Sequence, residues 1–313
     1  MIDLRRLRAF VALAEEGNIT RAAERLDMQQ PPLTRLLRGL EAELGTRLMQ
    51  RLPRGVRPTE AGQALLEEAR VLLARAEALP GVVQRAARGE LGRLALGFTS
   101  SASFHPFVPA VLRAFRARMP GVAVALEEAG TVELADAVLH ERLDAAFVRS
   151  PAGGLPDLLL DPVLDEPMLA ALPAHHPLAA DAGTAAAAAP LPLTALEREP
   201  FILYRRPTGP GLYDSILAAC RAAGFSPLVA QEAPRLPATL SLVAAGLGVS
   251  VVPASMRRLG GEDIVYRDLD CPGLSAPLHL ALRRGNPSPA LARLRELVRE
   301  LATAQAGTVQ TPR

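Results

Sequence analysis

Three sets of side chains carry the polar chemistry of this sequence. Near the amino terminus, Gln30, Thr34, Arg35 and Arg38 fall at helical spacing, with Pro31 and Pro32 directly after the glutamine. Glutamine and threonine each donate and accept hydrogen bonds, and arginine presents a planar fork, so such a face suits the base edges and phosphates of duplex DNA. A solvated helix face explains any one of these residues but not their arrangement. The second set is Arg51, Arg54 and Arg57, spaced by threes around Pro53-Arg54-Gly55 with no acid nearby, which suits phosphate or minor-groove contact. The third set comprises Thr99, Ser100, Ser101 and Ser103, then Thr131, Arg149 and the run Tyr204-Arg205-Arg206. Hydroxyls and guanidinium groups at the ends of strands suit a small carboxylate. Other readings stay open: helix capping for Ser100 and Ser101, an ion pair with Asp144 or Asp165 for Arg149, and a solvated pair for Arg205 and Arg206.

The elements that must hold the first two sets are legible from periodicity. Leu4, Leu7, Val11 and Ala14 predict a helix over 4–16, stopped by Gly17-Asn18, and TRAAERL at 20–26 predicts a short second helix. A third opens at Gln30-Pro31-Pro32, because proline is tolerated in a first turn. Its Leu33, Leu36, Leu37, Leu40 and Leu44 face a core, its polar residues face away, and Gly45 ends it. That order is a helix-turn-helix pattern, and residues 47–59 read as a hairpin wing. Gln30 and Thr34 are then the expected base readers, and Arg35 and Arg38 the phosphate or guanine contacts. Phe10 is the only aromatic residue in the first 97, which argues against stacking on single strands and for a double-stranded operator.

Thr59 caps a predicted helix from Glu60 towards Arg88. Along it Leu65, Ala69, Leu72, Ala76, Leu79 and Val83 alternate in steps of four and three, a heptad seam that calls for a second copy of the chain. Two recognition helices on one duplex imply a pseudo-palindromic site. Pro80-Gly81 interrupts the seam and predicts a kink or an early end near Leu79. From Arg93 onward, strands alternate with helices in two successive sets, the second beginning at Phe201, which predicts two α/β lobes.

Composition narrows the function classes. The chain has 313 residues and a net charge of +2, all 35 basic residues are arginine, and residues 1–58 hold 11 of them against 7 acids. The positive field therefore belongs to the amino-terminal segment. Apolar stretches are too short for a membrane span, and MIDLRRLRAF has no signal-peptide core, so a cytoplasmic protein is expected. Cys220 and Cys271 read as reduced packing residues, and the five histidines show no metal-ligand spacing. No GxSxG, Walker loop or GxGxxG occurs, so neither enzyme chemistry, cofactor nor metal is expected.

The motifs together resemble the LysR-type transcriptional regulators. The amino-terminal likeness rests on LRRLRAFVALAEEGNITRAAERL, QQPPLTRLLRGLEAELGTRLMQR and RPTEAG, and the remainder on GELGRLALGFTSSASF, RLDAAFVR and SLVAAGLGVSVVPAS. Met49, Leu36 and Thr34 stand where the family usually has phenylalanine, glutamine and serine, and the resemblance implies that Leu36, in place of the glutamine, removes one polar contact the family can make with DNA. The resemblance covers about residues 2–300 and is strongest to the subgroup responding to aromatic-catabolic acids such as muconate and benzoate. It implies a winged helix-turn-helix at 1–58 and a linker helix at 59–89. It further implies a two-lobed, periplasmic-binding-protein-like α/β domain at 90–303, with lobe I at about 90–163 and 271–303, lobe II at about 164–270, and a flexible tail at 304–313. It places Ser101, Thr131 and Arg149 on effector-contacting positions, and it implies dimers that associate into tetramers, with RNA polymerase a further candidate partner. A small-molecule-binding protein or an enzyme on the same two-lobed fold is the alternative, set against the arginine-rich amino-terminal segment.

Overall fold

Asp3 starts the first helix by accepting the Arg5 N–H at 2.9 Å. Helix α1 (Leu4–Glu16) then runs until Gly17 turns the chain at φ +59°, and Asn18 caps α2 (Ile19–Arg25) by accepting from Thr20 and Arg21. Helix α3 (Gln30–Leu44) carries its prolines in the first turn and ends at Gly45, φ +67°. A two-stranded wing, β1 (Met49–Leu52) with β2 (Gly55–Pro58), leads into the long α4 (Glu60–Ala87). The computed structural model describes residues 2–53, 55–149, 157–182 and 189–309, with the side chains of 180–182 and 306–309 left aside. It divides into two units, Met1–Gln84 and Arg85–Arg313.

The core of the first unit joins Leu7, Phe10 and Leu13 of α1 to Leu33, Leu37 and Leu40 of α3 and to Leu66, Ala69 and Leu73 of α4. Two leucines expected inside are not: Leu4 is 43% and Leu44 36% exposed, since each sits in the terminal turn of its helix, past the reach of the core. The early end expected near Leu79 does not occur. Helix α4 passes Pro80 and continues to Ala87, because proline deletes one N–H of the ladder while the flanking alanines and leucines favour helix.

In the second unit the elements are β3 (Leu91–Phe98), α5 (Ser100–Phe104), α6 (Phe107–Arg118), β4 (Gly121–Glu128), α7 (Thr131–Leu139), β5 (Ala145–Val148) and β6 (Leu158–Leu164). Next come β7 (Met168–Pro173), β8 (Leu191–Pro192), β9 (Pro200–Tyr204), α8 (Pro210–Ala222), β10 (Leu228–Ala233), α9 (Leu236–Ala244) and β11 (Ser250–Pro253). The chain finishes with β12 (Ile264–Asp270), β13 (Leu278–Arg283) and α10 (Pro289–Val309). Helix therefore persists beyond residue 304, where a flexible tail is expected, because LATAQA continues in good helix formers.

Two sheets result. The first is ordered β4-β3-β5-β13-β6, with β3 parallel to both neighbours, and buries apolar side chains on both faces, against α6 and α10 on one and α7 on the other. The second is ordered β11-β7-β12-β8, and a bridge between Phe201 and Val249 brings the parallel pair β10-β9 alongside it. The chain crosses between the lobes twice, at 165–167 and 271–277. There the Ala276 N–H donates to the Glu166 carbonyl at 2.8 Å and Pro167 bridges Ser275. Among the described residues no helix is long and apolar enough to cross a membrane.

Candidate functional site

On the first unit, α3 presents Gln30, Pro31, Pro32, Arg35 and Arg38 to solvent, and the wing presents Arg51 and Arg57. Arg54 lies outside the described residues. Glu41 fixes the wing to α3 by accepting the Leu48 and Met49 N–H groups at 2.8 and 3.2 Å, and the Val56 N–H ties it to the Gly17 carbonyl. Arg6, Arg21 and Arg25 are paired with Glu43, Glu16 and Glu15, whereas Arg35, Arg38, Arg51 and Arg57 have no carboxylate partner among the described residues. Arginines without a carboxylate partner among the described residues therefore cluster on α3 and the wing, and Arg5 and Arg47 add to them. Two expected base readers already have partners: the Gln30 amide donates to the Thr20 hydroxyl at 3.0 Å, and the Thr34 hydroxyl donates to the Gln30 carbonyl at 3.0 Å. Gln30 keeps its amide oxygen free to accept. Thr34 keeps only its acceptor lone pairs, since the helix ahead of it supplies a closer carbonyl than solvent does. Sequence reasoning missed Arg5, which with Arg6, Arg8 and Arg35 lines a concavity of about 620 Å³ between α1 and α3. The signal was the LRRLR run, read only as one face of an amphipathic helix.

In the second unit, the carboxyl ends of β3 and β4 face those of β9 and β10 across a cleft, as open α/β sheets place their ligands. The cavity there holds about 310 Å³ and is lined by Ser100 after β3, Glu128 at the end of β4 with Ala129, Gly130 and Glu133 beyond it, Tyr204 at the end of β9 with Arg205 and Thr208 beyond it, and Pro234-Arg235 after β10. The lobes touch at its rim. The Thr131 N–H donates to the Thr208 carbonyl at 3.0 Å, and a Cβ built on Gly130 would come within 2.7 Å of that oxygen, so only glycine admits this approach. Glu133 accepts the Gly130 N–H at 3.0 Å, and Arg235 pairs with Glu128 across the cleft. Desolvation pushes the Tyr204 phenol above its ordinary pKa, opposed by Arg235 and assisted by Glu133 and Glu128, so its hydroxyl stays a neutral donor. Arg205 has no carboxylate partner among the described residues.

Of the nine expected effector residues, Ser100, Tyr204 and Arg205 line the cavity. Thr99, Ser101 and Thr131 are buried next to lining residues; Thr99 and Ser101 share a hydroxyl contact at 3.3 Å, and Thr131 lies 3.4 Å from the Arg149 carbonyl. Ser103 turns back onto the Ser100 carbonyl at 2.8 Å, as a hydroxyl three residues along a helix does, and Arg206 makes a bidentate pair with Asp214. Arg149 departs furthest from expectation. It is 2% exposed and engaged by Glu166 and by the Ala276 carbonyl, both on the lobe crossovers, rather than by Asp144 or Asp165. Glu166 also accepts from the Ser255 N–H at 2.9 Å, while Asp144 holds the Ala95 N–H at 2.8 Å. Burial weakens the hold of Arg149 on its proton and Glu166 offsets part of that effect; the pair ties β5 to the crossover and to the end of β11. Burial also pushes Cys220 up to about 11, leaving an unreactive packing thiol.

A winged helix-turn-helix with an unneutralised arginine face, joined by a long helix to a two-lobed domain with a cleft, defines an effector-responsive DNA-binding regulator. Residues 4–63 match the bacterial regulatory helix-turn-helix protein of the lysR family, and residues 87–303 match the LysR substrate binding domain. The chain belongs to the LysR family of transcriptional regulators. It is similar to the HTH-type transcriptional regulator BudR of Raoultella terrigena, 35% identical over 296 residues that cover 95% of this chain and 100% of BudR. Among solved structures it resembles full-length CbnR complexed with its target DNA, with TM-score 0.82 and 29% identity over 96% of this chain and 100% of that one. It also resembles the BenM effector binding domain with its effector benzoate, with TM-score 0.60 and 26% identity over 69% of this chain and 94% of that one.

Proposed function

We propose that this regulator binds a pseudo-palindromic operator as a dimer, or as a pair of dimers, and takes a small carboxylate, aromatic or muconate-like, into the cleft between its lobes. The observation that carries the effector class is the cavity of about 310 Å³, a size suited to a small molecule, where Arg205, without a carboxylate partner among the described residues, stands beside Ser100 and the Tyr204 phenol. The guanidinium supplies charge and the hydroxyls direct the second oxygen. Benzoate in the BenM domain supports the same class. The dimer rests on α4. With Leu66, Ala69 and Leu73 packed inward, Leu72, Leu79 and Val83 remain 47%, 59% and 66% exposed along one stripe, more apolar surface than a lone helix leaves in water. A regulator of this kind meets its DNA in the cytoplasm, and that is the location we propose for it.

On DNA, Gln30 and Thr34 read bases, Pro31 and Pro32 hold the start of α3 against the groove, and Arg35, Arg38, Arg51, Arg54 and Arg57 meet phosphates. A gel shift with the DNA upstream of its own gene tests this. Arg57→Ala weakens binding to all sequences and lowers the salt slope by about one unit, whereas Gln30→Ala mainly erodes discrimination between operator and competitor. A salt slope unchanged in Arg57→Ala removes the wing from the interface. Thermal shift with acetate, benzoate and cis,cis-muconate tests the effector class, since a ligand of the native state raises the melting temperature.

A further inference from the structure

Among the described residues, one ion pair joins the two walls of the cleft, Arg235 with Glu128. Glu128 is the last residue of β4 in the first lobe, and Arg235 precedes α9 in the second. Both line the cavity, and both are substantially solvated, with side-chain exposures of 37% and 59%. Exposed pairs of this kind are weak, so a solute carboxylate can compete for the guanidinium. The other acid of the cavity is already held, since Glu133 caps α7 through the Gly130 N–H.

We propose that Glu128 is an internal occupant of the effector's anion position, and that a carboxylate effector takes Arg235 from it by exchange. The proposal rests on the reading of the cleft as a carboxylate site. Exchange removes a tie between lobes, so effector affinity differs between the tied and untied arrangements, and that difference is what lets a ligand shift a conformational equilibrium. Arg205, with no acid beside it among the described residues, receives the incoming anion first; Arg235 becomes its second partner only as Glu128 leaves.

Isothermal titration of the full-length chain with acetate, benzoate and cis,cis-muconate, in a double-mutant cycle, tests the exchange. Glu128→Gln removes the competitor and tightens the binding of any probe about two- to five-fold, the range an exposed pair allows. Arg235→Gln loses a charged hydrogen bond and weakens binding about tenfold or more. The decisive arm is the double variant: with Arg235 gone, Glu128→Gln brings no further tightening, because there is nothing left to compete for. If Glu128→Gln tightens binding as much without Arg235 as with it, Glu128 merely repels anions and the exchange is overturned while the carboxylate reading stands. Unchanged or weaker binding in Glu128→Gln, or full affinity in Arg235→Gln, overturns it likewise. No binding of any probe to the parent chain or to Glu128→Gln overturns the carboxylate reading and the exchange together.

Discussion

Removing Glu166 from the lobe crossover separates a structural from a ligand-binding role for Arg149. In Glu166→Ala the guanidinium, 2% exposed and on the last residue of an otherwise apolar run, loses the carboxylate it is bonded to, and the Ser255 N–H loses its acceptor. Deleting one member of a buried ion pair costs about 3–5 kcal/mol, because the charge left behind stays out of water. The orphaned N–H adds about 1 kcal/mol. A loss near 5 kcal/mol is a large share of the 5–15 kcal/mol typical of a folded domain, so the effector domain of this variant is marginal at room temperature. The assay is built into the sequence: there is no tryptophan, and the three tyrosines are Tyr204, Tyr213 and Tyr266, all in the second unit. Tyrosine fluorescence in urea therefore follows the effector domain without interference from the DNA-binding unit. The double variant Arg149→Met, Glu166→Met carries no buried charge and keeps side-chain volume, so it retains stability within about 2 kcal/mol of the parent and exceeds the single variant. A loss below about 1 kcal/mol for Glu166→Ala, or a double variant no better than the single one, would falsify the structural assignment.

Other consequences are directly measurable. Gly130→Ala sets a Cβ 2.7 Å from the Thr208 carbonyl, so the rim must part or the backbone shift, at about 1–3 kcal/mol; an unchanged urea midpoint by tyrosine fluorescence would show that the lobes do not close there. Leu79→Arg with Val83→Glu on the exposed stripe of α4 converts the protein to a monomer by light scattering and abolishes the two-half-site gel shift; a retained dimer would move the interface elsewhere. His105 is buried, its Nδ1 accepts the Phe107 N–H at 3.2 Å, and desolvation holds its pKa below the ordinary 6.5, with Arg149 and Arg258 adding to the effect and Glu166 opposing it. The unfolded chain then binds the extra proton first, so stability is full above about 6.5 and falls as pH drops towards the lower folded value. The urea midpoint falls between pH 7.5 and pH 5.5, and His105→Gln shrinks that fall; an equal fall in both chains would exclude His105 as its source.

Local signals were the ones that could be read directly. Asn18, Gly17, Gly45 and Thr59 each act within a few residues of their own position, so the helices of the DNA-binding unit and their polar face follow from spacing alone. The effector site is legible where it depends on one strand end, as at Ser100 and Arg205, and illegible where two lobes must meet. Glu128 and Arg235 lie 107 positions apart, and β10, which delivers Arg235, is LVAQEA, mostly solvent-exposed and too polar to announce itself as a strand. Pro80 shows the opposite error, a correct local penalty outweighed by the helix on either side.

Arg149 carries the wider lesson. The cost of burying a guanidinium establishes that the residue has a partner, and it gives no preference between a ligand and an acid of the chain itself. An acid is available at every moment of folding, whereas an effector is not, so an arginine as deeply buried as Arg149 requires an internal partner for the unliganded domain to be stable. A ligand-exchanging arginine must tolerate water when its site is empty. On the proposed carboxylate reading, the half-exposed Arg235 and Arg205, which has no carboxylate partner among the described residues, meet that criterion and the buried Arg149 does not.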